Sequence, residues 1–253
     1  MTAMPTIAER RKTFRSLHEQ GFFVLPNPWD VGSALHLQGM GFKALASTSS
    51  GFALSLGRPD YGVTRDELLG HLRGIANAID VPFNADFEGG YAVEPEGVAA
   101  NVRLAIATGV AGLSIEDRVV GADKPGLLDL GLAVERMKAA RAAIDEDNSG
   151  VILIGRCEGY LVGQPDLAAT IARLQAYGEA GADCLYAPGP RSAEDIAAIV
   201  KAVAPLPVNV LLMQNTPSVP ELRDLGVRRV STGGALAYAG WRAFTEAAKA
   251  LVP

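Results

Sequence analysis

Three consecutive apolar runs of this 253-residue chain each end in acidic side chains. Pro82–Phe87 leads into Asp86-Phe-Glu-Gly-Gly-Tyr91, Gly112–Glu116 into Glu116-Asp-Arg118, and Val151–Arg156 into Arg156-Cys-Glu158. If these runs are neighbouring strands, they deliver Asp86, Glu88, Glu116 and Asp117 to one mouth. Crowded carboxylates repel one another unless a proton or a cation neutralises them. Donors that are all oxygen favour a hard ion, Mg2+ or Mn2+, and no Cys or His stands at zinc-type spacing. The structural alternative is that these acids cap helices or pair with Arg118 and Arg156. For three adjacent run ends we take the metal reading.

Arg156 closes the apolar run Val-Ile-Leu-Ile-Gly-Arg. A guanidinium there is costly unless it faces the mouth and binds an anion or a carboxylate, and an ion pair with Glu158 or Glu116 is the competing role. Ser47-Thr-Ser-Ser-Gly-Phe52 brings hydroxyls after an earlier run. There the amides of Gly51 and Phe52 are read either as a cradle for an oxyanion or as part of a plain turn. Ser231-Thr-Gly-Gly-Ala235 reads as a tight strand-to-helix turn, with a phosphate cradle as the alternative. His36 and His71 fall in helical patterns and His18 in the N-terminal segment, so no histidine base or Ser-His-Asp set is expected. Lys124, Asp123, Tyr91, Tyr186 and Glu158 are left as proton donors or acceptors. Of these, Lys124 is placed with Arg156 and Glu116 in the catalytic set.

Positioning such groups takes a repeated scaffold. Short apolar runs bounded by Gly, Pro, Asn, Asp or Ser recur at Phe22–Pro26, Lys43–Ser47, Pro82–Phe87, Gly112–Glu116, Val151–Arg156, Cys184–Ala187, Pro207–Leu212 and Arg229–Thr232. Amphipathic stretches alternate with them: Arg65–Asp80, Pro95–Thr108, Leu132–Asp145, Pro165–Gly181, Ala193–Ala204, Val219–Leu225 and Ala235–Leu251. Three phrases, Met40-Gly-Phe-Lys-Ala44, Thr108-Gly-Val-Ala-Gly112 and Ala180-Gly-Ala-Asp-Cys184, share one form: helix end, Gly cap, strand start. Where a doubly wound sheet usually carries a Gly-rich dinucleotide turn, the chain has Asn27-Pro-Trp-Asp30. The pattern predicts a single-domain (β/α)8 TIM barrel over residues 1–253, with residues 1–20 as an N-terminal helical segment. In that fold the catalytic groups lie where strands end.

The composition excludes several classes. Hydrophobic residues make up 49% and charged residues 20%, and a net charge of −5 with 23 scattered Lys and Arg gives no footprint for nucleic acid. Cys157 and Cys184 lie inside apolar runs, the N-terminus lacks a signal-type apolar segment, and no run is long enough to cross a bilayer. A cytoplasmic, reduced protein with no membrane partner is expected.

Taken in order, Asn27-Pro-Trp-Asp30, Ser-Ser-Gly-Phe52, Asp86-Phe-Glu-Gly-Gly-Tyr91, Ser114-Ile-Glu-Asp-Arg118 and Gly155-Arg-Cys-Glu158 resemble the isocitrate lyase / phosphoenolpyruvate mutase superfamily from about Gly21 onward. The resemblance implies Mg2+ held by acidic side chains and waters, with Asp86, Glu88 and Glu116 as the metal-shell acids and Asp60 reaching them from its loop. It implies a substrate cradle of Ser50, Gly51 and Phe52, a substrate-binding Arg156, and a role for Asn209 near the seventh strand. Family members commonly form tetramers by exchanging a C-terminal helix, so a homo-oligomer, tetramer or dimer, is implied. The loop after the fourth strand, Val119 to Leu128, lacks the Cys and His of the family lyases and the Lys-Thr-Asn-Ser phrase of the mutase. Its two Gly and one Pro read as a lid.

The expected activity is Mg2+-dependent cleavage of a small 2-oxo or 2-hydroxy carboxylate, oxaloacetate-like or a substituted malate, through an enolate. Phosphonopyruvate-type P–C chemistry is the second reading. A barrel that binds an oxo acid without turning it over is the third.

Overall fold

The computed structural model describes residues 4–121 and 125–252. The chain opens with α1 (Ile7–Glu19), β1 (Phe23–Leu25), α2 (Val31–Gly39), β2 (Leu45–Ala46) and α3 (Ser49–Ser55). It continues through α4 (Arg65–Ala78), β3 (Phe83–Asp86), α5 (Pro95–Ile106), β4 (Gly112–Glu116) and α6 (Leu130–Asp147). Next come β5 (Ile152–Arg156), α7 (Leu167–Glu179), β6 (Cys184–Tyr186) and α8 (Ala193–Val203). The last elements are β7 (Val208–Leu211), α9 (Val219–Asp224), β8 (Arg229–Ser231) and α10 (Ala235–Lys249). Each of the eight expected runs contains its strand, most of them trimmed at the ends where the backbone leaves the ladder for a loop. Gly41, Gly109 and Gly181, the second residues of the three repeated phrases, have φ of 91°, 93° and 101°, so each is the left-handed helix cap that only Gly adopts freely.

All strand pairs are parallel, in the order β1-β8-β7-β6-β5-β4-β3-β2. The sheet closes into a (β/α)8 barrel along a narrow seam between β1 and β2. There the Ala46 amide donates to Pro26 O at 3.1 Å, and the Asn27 Nδ2 donates to Ser47 O at 2.7 Å. Two cores result. Side chains facing outward from the strands pack against the helices, with Leu72, Phe83, Leu113, Ile144, Leu153 and Leu185 among the buried ones. The barrel interior holds a smaller set that includes Phe23, Leu25, Ile152, Ile154 and Tyr186.

The floor is closed by α1, whose start is fixed by a capping box between Thr6 and Glu9. Its Phe14 is wholly buried and belongs to the interior cluster. Gly112 makes room for it: a Cβ there would lie 2.6 Å from the Phe14 ring. One ladder row descends the wall from mouth to floor, since Glu116 pairs with Arg156, Arg156 with Tyr186, Tyr186 with Asn209, and Asn209 with Arg229.

Ser49–Ser55 is a helix where the Ser- and Gly-rich composition suggested a turn. Thr48 caps it, its Oγ1 accepting from the Gly51 amide at 3.2 Å, while the Phe52 amide donates to Thr48 O at 3.0 Å. A strand residue supplies a further acceptor: Asp86 Oδ2 takes both the amide and the hydroxyl of Ser49 at 2.9 Å. Turn-type residues become helical here because their first amides find acceptors.

Candidate active site

At the C-terminal ends of the strands, Arg156 stands among three carboxylates. Its Nε donates to Glu158 Oε1 at 2.6 Å and lies 3.4 Å from Glu116 Oε2, and its Nη1 donates to Asp86 Oδ1 at 3.0 Å. Arg156 is thus paired with acids, the competing role named from the sequence, and it also faces the mouth. Neighbouring carboxylates more than offset the burial of this guanidinium and hold its pKa well above the ordinary arginine value, although burial alone, the largest influence, works the other way.

Negative charge exceeds positive around it. Asp60 lies on the rim of the same cavity and has its pKa raised by the surrounding protein and by Asp86. Glu88, just after β3, is buried, and burial followed by the charges of Asp86 and Asp60 pushes its carboxyl up to about 8. Glu116 is raised as well, chiefly by burial, with Arg156 pulling it down and Glu158 and Asp86 pushing it up. Glu88 Oε1 and Glu158 Oε2 are buried without a hydrogen-bond partner among the described residues.

Of these groups Arg156, Asp86 and Asp60 line a cavity of about 160 Å³ that runs from the mouth into the barrel, whereas Glu88 lines a neighbouring cavity on the other side of Tyr61. Ser49 and Ser50, at the start of α3, form part of the wall of the first cavity, and Asp86 bridges Ser49 to Arg156. Gly234 lets α3 lie close to the start of α10, because a Cβ there would come within 2.7 Å of Ser50 Oγ. Gly51 and Phe52 are placed differently from the cradle inferred by resemblance. Their amides are engaged at the helix start, and the Phe52 ring stacks on His71 at 3.8 Å, away from the cavity.

One residue of the site has no signal in the sequence pattern. Tyr61, from the loop beside Asp60, donates its hydroxyl to Glu116 Oε1 at 2.7 Å and lines the cavity. Tyr61, Glu88 and Tyr91 have φ of 62°, 47° and 55°. Left-handed backbone is uncommon outside Gly, Asn and Asp, and it concentrates where a fold must aim side chains at a site. The local phrases around these residues give no warning of it.

Other expected residues stand elsewhere. Asp117 turns away from the mouth and is buried between Tyr177 Oη at 2.5 Å, Arg173 Nη1 at 3.2 Å and the Glu158 amide at 2.8 Å. Adjacent strand residues face opposite sides, so Glu116 and Asp117 cannot both point inward. Lys124 and Asp123 lie outside the described residues. The flanks of the loop that holds them are tied, Val119 N to Gly126 O at 2.9 Å and Leu128 N to Asp117 O at 2.8 Å. Asn209 sits on the cavity wall well below the mouth, buried, with Nδ2 donating to Ser231 Oγ at 3.0 Å. The Ser231–Ala235 segment is the turn expected. Its Thr232 and Gly233 amides both donate to Asn27 Oδ1, at 2.8 and 2.9 Å.

Residues 14–252 match the family model of phosphoenolpyruvate phosphomutase. The fold superposes on the crystal structure of a candidate lyase/mutase from Burkholderia cenocepacia J2315 with a TM-score of 0.92, at 46% identity over 96% of this chain and 88% of that one. Oxaloacetate acetylhydrolase in complex with its product oxalate superposes with a TM-score of 0.85, at 30% identity over 94% of this chain and 85% of that one. In sequence, oxaloacetate decarboxylase of Chromohalobacter salexigens is 31% identical, covering 95% of this chain and 85% of its own length. Matched along nearly its whole length in sequence and fold, the chain belongs to the phosphoenolpyruvate phosphomutase family, within the isocitrate lyase / phosphoenolpyruvate mutase superfamily of carbon–carbon lyases and mutases.

Proposed function

We propose that this enzyme catalyses divalent-metal-dependent cleavage of a carbon–carbon bond in a small 2-oxo or 2-hydroxy carboxylate of the oxaloacetate or substituted-malate kind. The observation that carries the reading is Arg156 held among Asp86, Glu116 and Glu158 at the mouth of the cavity. The donor set fits a hard cation: it is all oxygen, it carries excess negative charge, and Glu88 and Glu158 each keep a buried oxygen without a partner. No three acidic, His or Cys side chains among the described residues enclose an ion by themselves. Asp86, Glu88 and Glu116 would therefore hold Mg2+ or Mn2+ together with water and substrate oxygens, as Mg2+ usually is held.

A bound Mg2+ or Mn2+ supplies Lewis acidity toward the oxo oxygen on which negative charge develops. Arg156 provides the positive charge that meets and orients the substrate carboxylate. Ser50, on the cavity wall, bounds the substrate. When an oxo diacid loses CO2, the electron pair of the broken carbon–carbon bond stays with the oxo-acid fragment as an enolate. When a 2-hydroxy acid is cleaved, its hydroxyl gives its proton to a carboxylate of the site and becomes the oxo group, and the pair goes to the other carboxylate fragment as its enolate. In both cases a proton must be delivered to carbon. Tyr61 holds such a proton on its hydroxyl beside Glu116.

Incubation of the purified chain with Mg2+ and a panel of oxo acids, 2-hydroxy diacids and phosphonopyruvate, followed by NMR, tests the reading. Consumption of an oxo or 2-hydroxy diacid is expected. Turnover of phosphonopyruvate alone would transfer the assignment to P–C chemistry, and tight binding without turnover would make the barrel a binding protein.

The outer helix supports a homo-oligomer, dimer or tetramer. In α10 only Ala237 is buried, while Tyr238, Trp241 and Phe244 are exposed and the last two rings meet at 5.6 Å. An apolar strip of this kind fits an interface between copies.

A further inference from the structure

Arg229 is a buried cation with no acid beside it. It is 2% exposed, lines the same cavity as Arg156, and forms no salt bridge among the described residues. Its Nε donates to Asn209 Oδ1 at 3.0 Å, and its Nη1 lies 3.1 Å from His18 Nε2. His18 Nδ1 lies 2.7 Å from Phe14 O, which can only accept, so Nδ1 carries the proton and Nε2 accepts from Arg229. Both partners are therefore neutral. A guanidinium does not shed its charge in a protein, and a buried charge normally finds an opposite one.

The space for an anion is built in. Barrel interiors are ordinarily filled by layers of branched side chains. Here Ala46, Ser114 and Ser231 occupy inward positions on β2, β4 and β8 and line the cavity, so a shaft stays open below the mouth. Asn84, on the same wall, keeps Oδ1 buried without a partner, the mark of a polar rather than an apolar occupant. The ladder row from Arg156 through Tyr186 and Asn209 to Arg229 crosses three strand spacings. That is about 14 Å along the wall, and the usual barrel tilt carries its lower end about 8 Å toward the floor. Arg156 and Arg229 thus stand at the two ends of that row, and both line the shaft.

We propose that Arg229 forms a second anion subsite at the floor of the cavity, which takes the distal carboxylate of a diacid whose oxo-acid end lies at Arg156. The proposal rests on the reading of the mouth given above. It makes the depth of the shaft, and not the mouth alone, the discriminator between diacids and simple oxo acids.

Calorimetry in Mg2+ with 2-oxobutyrate and with 3,3-difluorooxaloacetate, four-carbon oxo acids without and with a distal carboxylate, tests it on the full chain. The wild type should bind the diacid at least tenfold more tightly. Arg229→Gln should lower diacid affinity at least tenfold and leave 2-oxobutyrate affinity unchanged, and Arg229→Lys should recover part of the loss. Parallel changes for both ligands, or no change for either, would overturn the subsite. Should Arg229→Gln fold poorly, the wild type alone still decides, because equal affinity for the two ligands also overturns it. Binding of neither ligand in Mg2+ would overturn the reading of the mouth, and the subsite with it.

Discussion

The Tyr61 hydroxyl donates to Glu116 Oε1 at 2.7 Å while the Arg118 guanidinium lies 4.4 Å above the Tyr61 ring. The ring is thus clamped from the rim side, and its oxygen is presented to the carboxylate that pairs with Arg156. Tyr61→Phe keeps the ring and its stacking and removes only the hydroxyl. We expect kcat to fall about a hundredfold, in line with the loss of a general acid, with KM and thermal midpoint little changed. An unaltered kcat in steady-state assays would make Tyr61 a packing residue.

Arg156→Lys keeps a positive charge but loses the planar fork that serves several carboxylates at once. Oxo-acid affinity or kcat/KM should drop roughly tenfold to a hundredfold, equivalent to about 1.5–3 kcal/mol for a charge-assisted hydrogen bond. Thermal midpoint and affinity are to be measured on the same preparation. A lower midpoint with unchanged affinity would assign Arg156 to the scaffold.

The surplus of carboxylates at the mouth predicts that oxalate binding depends on a divalent ion. Titration with oxalate in Mg2+ and again in EDTA should show loss of most of the affinity in EDTA. Equal affinity in the two buffers would exclude Asp86, Glu88 and Glu116 as a metal site.

Below the site, His18 makes stability depend on pH. Burial, and then the Arg229 charge, push the ring down to about 3, against an ordinary value near 6.5. The unfolded chain therefore binds a proton that the folded chain refuses. The stabilisation is complete above about pH 6.5 and is lost as the pH falls toward 3, at about 1.4 kcal/mol per pH unit. Denaturant titrations of wild type and His18→Gln across that window should differ in slope by this amount. Comparison with the variant is required because His71 shifts in the same direction and Glu88 in the opposite one. Identical slopes would show that His18 takes up its proton without unfolding.

The exposed rings of α10 predict self-association. Light scattering should give the mass of a dimer or tetramer for the wild type and a smaller species for Phe244→Glu. A monomeric wild type would leave Trp241 and Phe244 as surface residues.

Much of this architecture is written locally. Runs such as Val151–Arg156 are too apolar for anything but a buried strand, and a Gly at the end of the preceding helix marks where several of them begin. Strand alternation also separates Glu116 from Asp117: with Gly112 and Ser114 inward, Glu116 faces in and Asp117 faces out, a signal present in the sequence and outweighed there by the simple grouping of acids. The same alternation turns Arg229 inward. What local reasoning misses depends on groups brought from elsewhere. The α3 helix needs Asp86 from β3 to receive the Ser49 amide, and Tyr61 becomes part of the site only because Glu116, 55 positions along the chain, accepts its proton. No phrase around either residue carries that information.

The seam between β1 and β2 gives the barrel a place to come unzipped. A full ladder joins most neighbouring strands, but here a single backbone bond and the Asn27 amide do the joining, and Asn27 also holds the turn after β8. Slow breathing of the cylinder should begin there, with the Ala46 amide among the first strand protons to exchange with solvent. Just past the seam the chain enters Thr48, Ser49 and Ser50, which line the cavity, and Ser49 ties back to Asp86. A ligand that fastens Ser50 to Arg156 would therefore act as a clasp on the cylinder, and occupancy of the site would be legible as slowed exchange at the Ala46 amide.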